Sequence, residues 1–267
     1  IKENESAETG TDNAEPFEPG GAPHSDTSAD GSGTPARSIL RRRFSRRKPV
    51  PDYVPNYPLS GPGSRKRYLL FCFLAPFLLL LAGFIYQGIY PFGDRQILIM
   101  DAWHQYFPFF EELHTRLRSG DSLFYSFTTG MGTNFIALFA YYLASPLNLL
   151  ALLVPTAYLR EIYALITLLK VGLAGLFCGI YLYRVFKRND LTLPMFSVCF
   201  ALCSYMMGYY WNIMWLDTVM LLPLLALGIH SLVTEGRFRL YTLILALSVA
   251  ANYYIGFIVC IFTAIYF

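Results

Sequence analysis

An all-α polytopic membrane protein is the fold class this sequence predicts, on three observations. Hydrophobic residues fill 55% and aromatic residues 17% of its 267 positions. Charged residues reach only 15%, against roughly 25% in soluble globular proteins. The charge is also segregated: residues 1–67 hold 20 of the 39 Asp, Glu, Lys and Arg, while residues 68–267 read as long apolar runs with short polar breaks. A soluble domain does not string together nearly uncharged stretches of about 18 residues, so a cytosolic enzyme is excluded. The formal net charge of +3 is too small to point to nucleic acid. All five cysteines (Cys72, Cys178, Cys199, Cys203 and Cys260) fall in apolar segments without a CxxC or Cys/His metal spacing. They read as small core or lipid-facing residues.

Residues 1–64 form a tail that starts acidic and rich in Gly, Ser, Pro and Thr. Its apolar surface is too small to offset chain entropy, and disorder is expected. The basic block RSILRRRFSRRK follows, with Arg37, Arg41, Arg42, Arg43, Arg46, Arg47 and Lys48, and Arg65, Lys66 and Arg67 stand at the door of the first apolar run. Such a juxtamembrane cluster suits a topology signal and solvated linker, or attraction to anionic lipid worth about 1 kcal/mol per basic residue. The chain opens on Ile1 and stops at Phe267 inside an apolar run, as expected of part of a longer protein.

Apolar runs predict spans near 68–90, 160–183, 192–210, 217–233 and 241–267, each about the length that crosses a hydrocarbon core. Asn252 and Gly256 are candidates to kink or split the last. Basic clusters at Arg65–Arg67, at Arg184, Lys187 and Arg188, and at Arg237 and Arg239 fall on one side only if residues 134–154 do not cross. Pro146 and Asn148 interrupt that segment, and Tyr141 and Tyr142 suit an interface, so it is expected to lie at the outer face or re-enter. A long outer loop, about 91–159, then carries interfacial helices. One is an amphipathic helix over 104–118 with Phe107, Phe110, Leu113 and Leu117 on one side. The tail and the three basic clusters are expected to be cytoplasmic.

On this topology polar residues gather at the outer face. Asp101, Trp103, His104, Gln105 and Tyr106 follow the first span, and Asn212, Trp215 and Asp217 sit between two later ones. Two carboxylates among aromatic rings and amides suit acid/base chemistry on a sugar, although Asp217 equally suits a helix cap. Lys170 lies mid-span, where a cation costs several kcal/mol unless paired or wetted; it is expected either to face a phosphate or to form a buried pair. Gly172, Gly175 and Gly179 on the same helix predict close helix packing. GMGTN, ending at Asn134, offers flexible backbone and an amide, or a simple turn.

The run DAWHQYFPFFEELHTRLRSGDSLFYSFTTGMGTNFIALFAYYLASPLNLL resembles the first outer loop of the bacterial YfhO-type membrane protein family. LLKVGLAGLFCGIYLYR and YWNIMWLDTVMLLPLLALGIHSLVTEGR are similar to its next segments, so the resemblance spans about 68–267. It implies a C-type glycosyltransferase (GT-C) architecture over residues 65–267, truncated at the C-terminal end, in a bacterial cell membrane. It further implies an enzyme of hexosyltransferase type that takes a sugar from a polyprenyl-phosphate carrier. The acceptor is a cell-envelope polymer such as lipoteichoic acid.

The first-loop carboxylate of that superfamily maps onto Asp101, with Asp94 the competing position. Asp101 would accept the acceptor hydroxyl's proton, with Asp217 as the second catalytic carboxylate. Arg95, Arg116, Arg160 or a bound divalent cation would hold the departing phosphate, and no DxD motif in the loop supports a metal. His104, Gln105, Tyr106, Asn134, Lys170, Asn212 and Trp215 would line the substrate. Two competing readings stay open: a transporter or flippase of lipid-linked precursors, for which midplane charge and repeats are the signature, and a non-catalytic membrane scaffold.

Overall fold

The computed structural model describes residues 62–266; the expectations for the tail over residues 1–61 lie outside them. Its helices, in chain order, are α1 (Pro62–Gln87), α2 (Phe107–Ser119), α3 (Phe135–Leu138), α4 (Leu159–Phe186), α5 (Thr192–Ala201), α6 (Ser204–Gly208), α7 (Ile213–Glu235), α8 (Arg239–Ala251) and α9 (Tyr253–Tyr266). Among the described residues the fold is all-α apart from an antiparallel two-residue ladder, β1 (Tyr125–Ser126) with β2 (Thr133–Asn134), and an isolated bridge between Ile89 and Arg95. Among the described residues, three helices are long and apolar enough to cross a membrane: Arg65–Gln87, Thr156–Phe186 and Ile213–Glu235.

α1 and α4 run antiparallel along a seam of small residues. A Cβ on Gly172 would stand 2.7 Å from the Phe73 ring, one on Gly175 2.7 Å from the Pro76 ring, and one on Gly179 2.5 Å from the Cys72 sulfur. α7 lies beside α4 and α8 returns along α7, with Gly228 meeting the backbone of Tyr241. α5 packs on both α1 and α4.

The three basic clusters converge on one end of this bundle. Arg65 stacks its guanidinium 4.5 Å over the Tyr183 ring, and Arg184, Arg237 and Arg239 line a common cavity. The chain between α1 and α4 therefore makes no net crossing, as the charge pattern predicts. Residues 135–153 show how. Phe135–Leu143 and Pro146–Leu153 meet at 103°, because Ser145 is extended (ψ 127°) and Pro146 starts a new helical turn.

One predicted span needs correction, and in the last one the anticipated break falls at Asn252. Residues 192–210 form α5 and α6, apolar helices of 10 and 5 residues interrupted at Leu202 and Cys203. Residues 241–267 are not one helix: the chain breaks at Asn252 (φ −158°, ψ 109°) into α8 and α9. α9 packs back on α8, a Cβ on Gly256 falling 2.8 Å from the Val249 Cα, and Tyr266 ends beside Tyr181 of α4. Asn252 settles the break by capping: its Oδ1 accepts from the Ile255 amide at 2.9 Å, and its Nδ2 donates to the Tyr141 carbonyl at 2.9 Å. Gly256 permits the close approach and does not itself break the helix.

The amphipathic helix begins as a π-helical turn, Ala102–Tyr106, continuous with α2. Phe110 and Leu113 are buried as predicted, but Leu117 is 37% exposed and Arg116 is buried in its place. Arg116 is held by Glu112 at 2.6 Å, by the Ser122 and Tyr125 carbonyls and by the Phe135 ring. Glu112 also accepts from Ser126 and Thr128, so one ion pair fixes the β1–β2 loop onto α2. Burial pushes the Glu112 carboxyl up, but hydrogen bonds from Thr128, Ser126 and Arg116 and the guanidinium charge outweigh it and hold it below the usual range. Gly132 closes the loop at φ +113° over the Tyr125 hydroxyl, a backbone conformation that side chains rarely adopt.

Candidate functional site

Asp101 opens the π-helical turn at the loop end of the bundle, opposite the basic clusters. Its carboxylate makes no cap and is exposed, as are Trp103, His104 and Gln105 on the same turn. Tyr106 faces inward. Its hydroxyl donates to Asn212 Oδ1 at 2.9 Å and lies 3.4 Å from Asp101 Oδ2. Burial pushes this phenol well above its usual range and the Asp101 charge adds to the shift, so it stays a proton donor at physiological pH.

Aromatic rings back the carboxylate. Tyr106 stacks with Trp211 at 6.2 Å and meets Tyr142 at 5.4 Å. The wall continues through Tyr141 to Tyr253, and through Tyr209 and Trp215 to Tyr254. Along this wall, Asn212 Nδ2 and Trp215 Nε1 are buried donors with no acceptor among the described residues. An unsatisfied buried donor costs about 1–3 kcal/mol, which an incoming oxygen can recover.

The second carboxylate is placed differently from the expectation. Asp217 is 1% exposed and faces the interior. Its Oδ2 accepts from Lys170 at 2.7 Å and its Oδ1 from the Ser145 hydroxyl at 2.8 Å, while Lys170 also donates to the Ile213 carbonyl at 2.8 Å. Lys170 is fully buried, so of its two expected settings the geometry gives the buried pair. Asp101 and Asp217 thus lie in the same half of the molecule but do not open on one aqueous space.

The family model of the bacterial membrane protein YfhO matches residues 72–267. The chain belongs to the YfhO family. No curated protein and no solved structure matches it.

The remaining candidates of this YfhO-family chain divide in two. Arg160 lines a cleft of about 140 Å³ with Tyr90, Asp94, Gln96, Ile97 and Leu98, just before Asp101 in sequence. Tyr90 borders that cleft and donates to Glu161 at 2.8 Å; the hydrogen bond and charge of Glu161 raise its hydroxyl's pKa. Arg95 instead turns to Gln87, at 2.9 Å. Asn134 is a helix cap, its Oδ1 accepting from the Ala137 amide at 3.3 Å, and Arg116 is consumed by the loop clamp. Among the described residues no three of His, Cys, Asp and Glu gather in metal-binding geometry.

Sequence reasoning missed Ser145 and Tyr142 as neighbours of these groups. Ser145 carries no signal beyond preceding a proline. Tyr142 was legible only as an interfacial aromatic.

Proposed function

We propose that this chain belongs to a membrane glycosyltransferase that moves a sugar from a polyprenyl-phosphate carrier to a cell-envelope polymer, lipoteichoic acid being one such acceptor. The active face is the loop end, outside the cell, with the basic end and tail in the cytoplasm. The carrying observation is Asp101: an exposed carboxylate held at the head of a turn whose buried tyrosine, Tyr106, hydrogen-bonds into a wall of rings and unpartnered donors.

The chemistry follows from the setting. An acceptor hydroxyl is a weak nucleophile until a base takes its proton. Asp101 accepts that proton as the acceptor oxygen bonds to the sugar's anomeric carbon. The carbon–oxygen bond to the phosphate breaks with its electron pair on the carrier phosphate, and the configuration inverts. Tyr106 orients the carboxylate. The rings offer faces on which sugar C–H groups and prenyl units pack, and the Asn212 and Trp215 donors meet sugar oxygens. We assign the phosphate to Arg160, which lines the cleft formed by the chain just before Asp101, together with His104 and Gln105. Lys170 and Asp217 act as a charge pair that positions α4, α7 and the elbow at Ser145, not as substrate ligands.

Asp101→Asn keeps the shape and removes the base. Sugar incorporation into the envelope polymer by the full-length protein is expected to fall about 10²–10⁴-fold at unchanged membrane levels. Incorporation at the wild-type rate would remove Asp101 from the mechanism. A second reading, transport of a lipid-linked precursor, is favoured by one combination: a helix break at Asn252 and a buried ion pair between α4 and α7. Transport of a lipid-linked sugar across proteoliposomes that survives Asp101→Asn and fails in Asn252→Ala would select it.

A further inference from the structure

At the other end of the bundle, α4, α7 and α8 enclose a cavity of about 720 Å³. Its chemistry is split. Ile180, Leu224 and Leu227 line it with apolar surface, and Arg184, Arg237 and Arg239 supply cations. Glu235 also borders it but is ion-paired with Arg237 at 2.9 Å; His230 lies alongside. Arg184 and Arg239 have no carboxylate partner among the described residues.

The backbone adds to this charge. α8 begins in the cavity wall, Phe238 provides no side-chain cap, and so the first-turn N–H groups of a 13-residue helix have no side-chain acceptor. Such a terminus attracts anions. The neighbouring C-terminus of α7 does not cancel it, since the Gly236 and Arg237 amides take up the Leu232 and Ser231 carbonyls.

We propose that this cavity binds the headgroup of an anionic phospholipid, its phosphate between Arg184, Arg239 and the α8 N-terminus and an acyl chain against Leu224 and Leu227. The split argues for a lipid over a free anion: phosphate alone has no use for an apolar wall, whereas a cation-rimmed pocket between membrane helices matches a headgroup with its first methylenes. The proposal does not depend on the role of Asp101.

The test uses the full chain in detergent, offered phosphatidylglycerol or phosphatidylcholine, with bound lipid counted by native mass spectrometry. The wild type is expected to retain phosphatidylglycerol at least tenfold over phosphatidylcholine. Arg184→Gln with Arg239→Gln is expected to lose that preference, beyond whatever the shared tail contributes. Arg184→Lys with Arg239→Lys keeps it, and so does Arg118→Gln at the loop end. Loss in the lysine variant as well as the glutamine one would mean a damaged fold, not a removed charge, and overturns the proposal. So does an unchanged preference in the glutamine variant. Displacement of the lipid by millimolar inorganic phosphate alone would assign the site to a free anion and overturn the lipid.

Discussion

Asp101 and Asp217 are the same residue in the same half of the molecule, and their surroundings give them opposite properties. Asp101 stands in water at the lip of a turn, with a single long contact to a phenol. Asp217 is enclosed by a lysine and a serine and is 1% exposed. A carboxylate in the first setting is free to take up a proton from a reactant. In the second, its charge is committed to Lys170, and any third party must compete with a pair already desolvated. Surroundings, not residue type or nearness to a helix end, separate a candidate base from a structural ion.

The sharpest way to break this contrast is stability. Removing one partner of a buried ion pair leaves an uncompensated charge and costs about 3–5 kcal/mol. Lys170→Met is therefore expected to lose that much in unfolding measurements in detergent, while Asp101→Asn stays within about 0.5 kcal/mol of wild type. Lys170→Met combined with Asp217→Leu should recover most of the loss, because an apolar pair replaces a charged one. A double variant as unstable as the single would mean the charges have a task besides neutralising each other.

A middle-sized effect is expected between the two settings, at Asn252, which ties α9 to the Tyr141 carbonyl of the aromatic wall. Asn252→Ala removes a cap worth about 0.5–2 kcal/mol. Amide exchange should quicken over 253–256 and at Tyr141 while the α4–α7 pair stays protected. The smallest effect concerns Glu112 beneath the loop. Its folded carboxyl titrates below the unfolded one, so its stabilisation is complete at neutral pH and drains away as pH falls through the lowered folded value. Proteolysis of the 122–134 loop should accelerate on acidification in the wild type, and Glu112→Gln should be fast-cleaved at both pH values.

The sequence made the three long spans legible because about 20 unbroken apolar residues in lipid have one stable form, the helix that satisfies its own backbone. The elbow was legible through Pro146, and the common side of the arginines through the charge rule. The breaks at Leu202–Cys203 and Asn252 were less so, since packing against α1, α4 and α7 decides whether an apolar run stays straight. In the candidate site, Asp101 was legible from its place just past a span. The fate of Asp217 was not: Lys170 and Ser145 lie 47 and 72 residues away in the chain, and no local spacing announces that the three meet.

The seam of Gly172, Gly175 and Gly179 has a consequence for the first helix. Much of α1 is apolar and uncovered, and among lipid tails a greasy surface gains nothing by hiding from grease. What fastens α1 is contact distance, reached because three positions on α4 lack a side chain. Adding methyl groups along that strip would not loosen the helix by degrees but would unzip it sideways into the bilayer, carrying off the tether from which the Asp101 turn is hung.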